Sequence, residues 1–208
     1  MDIDIICPLY NAEKDIESLH KSLLKQKNVQ INEIKYVLTE GKDNTEEILK
    51  KLNINYKKIK KEEFSHGFTR EIEAFESKAD IIVFITQDIK ILREDWLYNL
   101  TKDIINGEVD ACYSRQICTN NTIEKYTREC NYPENSKIIS NKDINNLGLK
   151  AFFFSDASSA IKRKTFIKLN GYDHKKLIIN EDMYIAYKLI TNGYKIKYCA
   201  DSEVIHSH

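Results

Sequence analysis

The chain has 208 residues, enough for one well-buried domain and too few for two independent domains of ordinary size. Lysine plus arginine equals aspartate plus glutamate at 32 each, so no net field favours a polyanion and nucleic acid is excluded as the expected partner. Cys7, Cys112, Cys118, Cys130 and Cys199 are scattered, with neither the short paired spacing of a zinc site nor the density of a secreted disulfide scaffold, which fits a reducing compartment.

The first residues carry acids where a signal peptide carries bases, and no apolar run approaches the roughly 18 residues of a membrane span. Ile3 to Cys7 reads as a short strand stopped by Pro8-Leu9-Tyr10-Asn11. Ile16, Leu19, Leu23 and Leu24 then recur at helical spacing within Glu13 to Gln26. The turn of such a unit lies at the strand's carboxyl end, where open α/β sheets bind ligands. Tyr10 there either stacks on a flat ring or simply turns the chain. Ile34 to Leu38 repeats the strand pattern before a polar turn, Thr39 to Thr45, and a helix from about Glu46 to Leu52. Asn53 to Ile59 is a weaker third strand. Lys57, Lys58, Lys60 and Lys61 are followed at once by Glu62 and Glu63, the pattern of a solvated face without a role.

Phe64-Ser65-His66-Gly67-Phe68-Thr69-Arg70 leads into a helix with Ile72, Phe75 and Ala79 on one face. An arginine in a first helical turn opposes the helix dipole, so Arg70 either meets a local anion such as a phosphate or faces solvent. Ile81 to Asp88 is a run of β-formers ending in a carboxylate, suited to a strand buried on both faces of a parallel sheet. Asp88 at its carboxyl end either faces a ligand or caps the next loop.

Arg93 to Ile105 reads as a helix burying Trp96, Leu97, Leu100 and Ile104, and Val109 to Ser114 as a strand. From Arg115 to Asn146 the alternation breaks into a polar, irregular stretch, longer than ordinary loops and expected to cover a site. Ala151 to Phe154 is apolar again, and the small residues Ser155 and Ala157 to Ala160 permit close backbone approach. Asn180-Glu181-Asp182 opens a helix that Gly193 stops. Its two acids either complement the helix dipole or hold a carboxylate rigidly at a cleft. Lys195 to Cys199 and Glu203 to Ile205 read as closing strands before His206-Ser207-His208, whose alternating imidazoles suit a transition metal or belong to a frayed end.

Pro8-Leu9-Tyr10-Asn11, the Gly41 turn, His66-Gly67-Phe68-Thr69-Arg70, Thr86-Gln87-Asp88, Asn180-Glu181-Asp182 and His206-Ser207-His208 together resemble a glycosyltransferase of family 2 over essentially the whole chain. Tyr113-Ser114-Arg115-Gln116, Arg128 to Pro133 and Phe152-Phe153-Phe154-Ser155 resemble its rhamnosyltransferase-like branch. The resemblance implies an α/β protein of GT-A fold, a single catalytic domain over residues 1–208. A Rossmann-like nucleotide-sugar-binding half, to about residue 114, is fused to an acceptor half, from about residue 115, around one mixed central sheet.

It also implies an inverting transfer of a sugar, rhamnose or another hexose, from a nucleotide-diphosphate donor to a glycan or lipid-linked glycan acceptor in cell-surface polysaccharide synthesis. A divalent cation, Mn²⁺ or Mg²⁺, would be the cofactor, in the cytoplasm or at the inner face of the cell membrane. By motif position Asp88, His206 and His208 would hold the cation, and Pro8, Tyr10, Asn11, Glu40, Arg70 and Gln87 the nucleotide sugar. Asp182, with Glu181 beside it, would be the base. The chemistry agrees: negative charge builds on the departing phosphates, and inversion needs a single base at the acceptor hydroxyl.

Three departures sharpen this reading. Thr39-Glu40 stands where many relatives carry an acidic pair, and Thr86-Gln87-Asp88 leaves one carboxylate for a cation that would then arrive on the donor's diphosphate. Relatives also continue well past the histidine motif, so acceptor binding or peripheral membrane docking is expected to depend on a further part. Two rivals follow: a catalytically silent binding module of the same fold, and a sugar-phosphate nucleotidyltransferase, which would want a glycine-rich loop where this chain has Pro8 to Asn11.

Overall fold

A computed structural model describes residues 1–177 and 179–206. In the first half strands and helices alternate: β1 (Asp2–Leu9), α1 (Ile16–Leu24), β2 (Gln30–Thr39), α2 (Thr45–Lys51), β3 (Tyr56–Ile59), α3 (His66–Glu76), β4 (Ile81–Ile85) and α4 (Trp96–Ile105). The second half contains β5 (Ala111–Ile117), α5 (Ile123–Asn131), β6 (Lys137–Ile139), α6 (Ile144–Leu147), β7 (Ser158–Lys162), α7 (Arg163–Lys168), α8 (Glu181–Thr191) and β8 (Ile196–Ile205).

All eight strands join one mixed sheet in the order β3-β2-β1-β4-β7-β5-β8-β6. β7 runs antiparallel to β4 and β5, β6 runs antiparallel to β8, and the other pairs are parallel. The carboxyl ends of β1, β2, β4, β5 and β8 therefore share one edge with the start of β7. The apolar run behind β4 is buried on both faces, as its composition requires: Ile81, Val83 and Ile85 enter one core, while Ile82 and Phe84 enter the other. The first core also takes Leu19 and Leu23 of α1 and Trp96 and Leu100 of α4; the second takes Phe166, Tyr172, Ile185 and Leu189.

Several elements differ from the sequence expectation. Arg115 to Asn146 is not irregular throughout: it carries the end of β5, α5, β6 and α6. α5 buries no residue of its own, so it leaves no apolar stripe to read. The small residues from Ser158 form β7, a reversed strand in the middle of the sheet, where little side-chain bulk is needed. The two closing strands are one strand, β8, whose register against β5 jumps from Cys199 opposite Ser114 to Glu203 opposite Arg115.

Candidate active site

The β1–β4 ladder ends at Ile6 opposite Phe84; β1 stays paired with β2 to Leu9 and β4 with β7 to Ile85, and each strand then leads into a loop. Gln87 ties these loops together. Its Oε1 accepts the Tyr10 backbone N–H at 2.7 Å and its Nε2 donates to the Tyr10 carbonyl at 2.9 Å, extending the sheet's pairing by a side chain. The Tyr10 ring stays exposed, with the Lys61 ammonium 5.6 Å from its centroid. Asn11 sits at φ 50°, and its Oδ1 accepts the Lys42 N–H at 3.2 Å. A Cβ on Gly41 would lie 2.4 Å from that oxygen, so the close approach of the two turns requires glycine there.

Above this edge lies a cavity of about 700 Å³, bounded by the loops after β1 and β4, the start of α3, the residues before β7, the start of α8 and His206. Thr39 Oγ1 and Arg70 Nε are buried without a hydrogen-bond partner among the described residues, and both residues line this cavity. Buried polar atoms normally find partners, so both are placed to meet water or a polar group inside the cavity.

At one corner, Asp88 Oδ2 stands 3.2 Å from His206 Nε2, and His206 Nδ1 stands 2.9 Å from the Oε1 of Gln116. Burial pushes the Asp88 carboxyl up, but the His206 ring, together with Thr86 and the backbone, more than offsets this and holds it well below the usual range. At another corner, α8 starts against α3. Gly67 permits this, since a Cβ there would come within 3.3 Å of the Glu181 Cβ. Arg70 is 2% exposed and donates to Glu181 Oε1 at 3.0 Å and to the His66 carbonyl at 3.1 Å. Asp156, also buried, accepts from the Tyr172 hydroxyl at 2.6 Å and from Ser159 Oγ at 2.7 Å, and burial raises its carboxyl. Asp182 completes the group. Burial first, then the charges of Asp156 and Glu181, push its carboxyl up to about 7.

The profile of the family described as Glycosyl transferase family 2 matches residues 4–169. The chain is 34% identical to the O-antigen chain rhamnosyltransferase RfbN of Salmonella typhimurium, covering 100% of this chain and 67% of that protein. It is also 34% identical to the O-antigen chain rhamnosyltransferase WbaN of Salmonella anatum, covering 98% and 65%. The chain belongs to glycosyl transferase family 2. It spans about two thirds of the length of these curated relatives. Solved structures support the fold: S. aureus TarS 1-349 in complex with UDP aligns with a TM-score of 0.76 at 18% identity, covering 100% of this chain and 61% of that one. The mannosyltransferase PcManGT from Pyrobaculum calidifontis, in complex with GDP-Man and Mn²⁺, aligns with a TM-score of 0.68 at 15% identity, covering 98% and 56%.

Of the residues that the family 2 resemblance singled out, Pro8, Tyr10, Arg70, Gln87, Asp88, Glu181, Asp182 and His206 all line this one cavity. Asn11 and Glu40 lie outside its lining. The Asn11 amide is engaged by Lys42, and Glu40 is an exposed residue whose N–H pairs with the Ile59 carbonyl. Arg70 is the fifth residue of α3 rather than part of its first turn, and the anion it meets is Glu181. His208 lies outside the described residues. Sequence reasoning gave no role to the lining residues Asp156 and Lys61, and named His66 only within a motif. Asp156 is hidden in a run of small residues, and Lys61 in a charge run that looks like plain surface. Only the fold brings them to the cavity.

Proposed function

We propose that the chain moves a deoxyhexose of the rhamnose class from a nucleoside diphosphate to a hydroxyl of a glycan acceptor, inverting the anomeric centre. The observation that carries this is a single cavity holding two aspartates driven to opposite ionisation, Asp88 to a fixed anion and Asp182 to a carboxyl at about 7. The likeness to two O-antigen chain rhamnosyltransferases supports the sugar and acceptor class. It likewise supports a place in cell-surface polysaccharide assembly, which we put on the cytoplasmic side with a lipid-linked glycan as acceptor. Among the described residues no helix is long and apolar enough to cross a membrane.

Asp182, ionised above about pH 7, takes the proton of the attacking acceptor hydroxyl; one base suffices when displacement is direct. Arg70 neutralises Glu181 beside it and fixes the start of α8, so the base is presented rigidly. On the donor side the exposed Tyr10 ring offers a stacking face, with its backbone fixed by Gln87 and Lys61 beside the ring for an anionic group. Asp88 and His206 fit a shared divalent cation. Their facing atoms are 3.2 Å apart, close enough that both would reach one ion. Among the described residues no group of three such ligands occurs, so these two side chains would hold a divalent cation together with the donor. When bound, the cation offsets the charge that builds on the leaving diphosphate.

Calorimetric titration with a panel of nucleotide sugars, with and without Mn²⁺ or Mg²⁺, tests the donor half. The expected result is cation-dependent binding of a deoxyhexose donor; absence of binding under every condition would sink it. Slow cation-dependent hydrolysis of the bound donor separates an enzyme from a silent module.

A further inference from the structure

Gln116 lies on β5, 2% exposed, and its side-chain contacts join two residues of the cavity lining to α5. Its Oε1 accepts from the Arg128 guanidinium and meets His206 Nδ1 at 2.9 Å, while its Nε2 donates to Ser155 Oγ at 2.8 Å. A guanidinium can only donate, so the amide atom that Arg128 meets is the oxygen. That same oxygen faces His206, and an acceptor there requires the imidazole proton on Nδ1. A bare Nδ1 would set two buried acceptors against each other, and the same holds at Nε2 opposite the Asp88 carboxylate, so Nε2 must meet either a proton or a cation. With Nδ1 protonated, the nitrogen available for ligation is Nε2, the one that stands 3.2 Å from Asp88.

We propose that Gln116 is a positioning residue for the cation site: its amide oxygen, oriented by Arg128, keeps the His206 proton on Nδ1 and so presents Nε2 to a divalent cation shared with Asp88. The inference rests on the two-ligand reading of Asp88 and His206 given above. It also gives α5 a reason to be where it is. No residue of α5 is buried, yet Arg128 reaches from it to Gln116 and is braced by Glu124 at 3.1 Å. One side chain thus couples the helix over the second half of the sheet to the cation ligand. Partners of this kind behind a metal-bound histidine fix its tautomer and ring orientation.

The first test needs no variant in the sample measured. In ring ¹⁵N–¹H spectra of the chain, with His206→Ala used only to assign the resonances, His206 is expected to carry a proton on Nδ1. A ring protonated on Nε2 alone overturns the proposal. The second test follows Mn²⁺ binding by electron paramagnetic resonance. Gln116→Leu cannot accept a hydrogen bond, and Mn²⁺ affinity should fall about 10- to 100-fold. Gln116→Glu still accepts from both Arg128 and His206 and should stay close to the parent. Unchanged affinity in Gln116→Leu, where His206→Ala does weaken binding, defeats the role of Gln116 and spares the cation site. Unchanged affinity in His206→Ala defeats the two-ligand site itself, and this proposal with it. If Gln116→Leu does not fold, the ring spectra of the parent decide.

Discussion

The Asp88 corner and the Asp182 corner of the cavity are built from the same residue type and end in opposite states. Burial raises both carboxyls, so the difference lies in their neighbours. Asp88 has the His206 imidazole at 3.2 Å and is held low. Asp182 has two further carboxylates, Asp156 and Glu181, and the nearest guanidinium is already engaged by Glu181. A permanent anion suits a cation and its diphosphate, whereas a carboxyl near 7 can both take up and release a proton. The comparison teaches that the division of labour comes from partners supplied by distant parts of the chain, since Arg70 and Glu181 are 111 positions apart and Asp88 and His206 are 118 apart.

Removing the proposed proton acceptor breaks the comparison most sharply. Asp182→Asn should lower sugar transfer by about 10²- to 10⁴-fold while leaving nucleotide binding intact; turnover close to the parent in a coupled assay would move the base elsewhere. Next in size is the pairing that keeps Glu181 from competing with Asp182. Arg70→Met leaves a buried carboxylate uncompensated and should cost about 3–5 kcal/mol in urea unfolding. A loss below about 1 kcal/mol would show that the pair is not what holds α8 against α3.

The smallest effect concerns stability and pH. The Asp182 carboxyl lies at about 7 in the fold against 3.8 ordinarily, so between these values the folded state keeps a proton that the unfolded chain releases. Stability from this group is therefore lost as pH rises from about 4 to about 7. Asp182→Asn should be the more stable protein at about pH 8, by on the order of 2–4 kcal/mol, and show no such advantage near pH 3. Equal unfolding midpoints at both pH values would contradict the raised ionisation.

What the sequence made legible follows the same divide. The parallel half could be read because β4 is a continuous apolar run and the turns carry polar residues at the strand ends; Asp88 and Tyr10 were found that way, and Gln87 through the family motif. The second half hid more. β7 is made of small residues with no period to read, and Asp156 just before it becomes significant only through Tyr172 and Ser159. Arg70 was legible as a guanidinium needing an anion, but which anion depends on α8 packing against Gly67. Gln116 was visible only as part of a family motif, because its proposed role consists of contacts with Arg128, Ser155 and His206.

The central claim is that Asp182 is held as a titratable base in the same cavity as a fixed anion. Carboxyl ¹³C titration of the chain measures this directly, with the Asp182 resonance identified by its loss in Asp182→Asn. The account predicts a midpoint at about 7, so that the base is ionised only above neutrality. A midpoint near the ordinary 3.8 would contradict it.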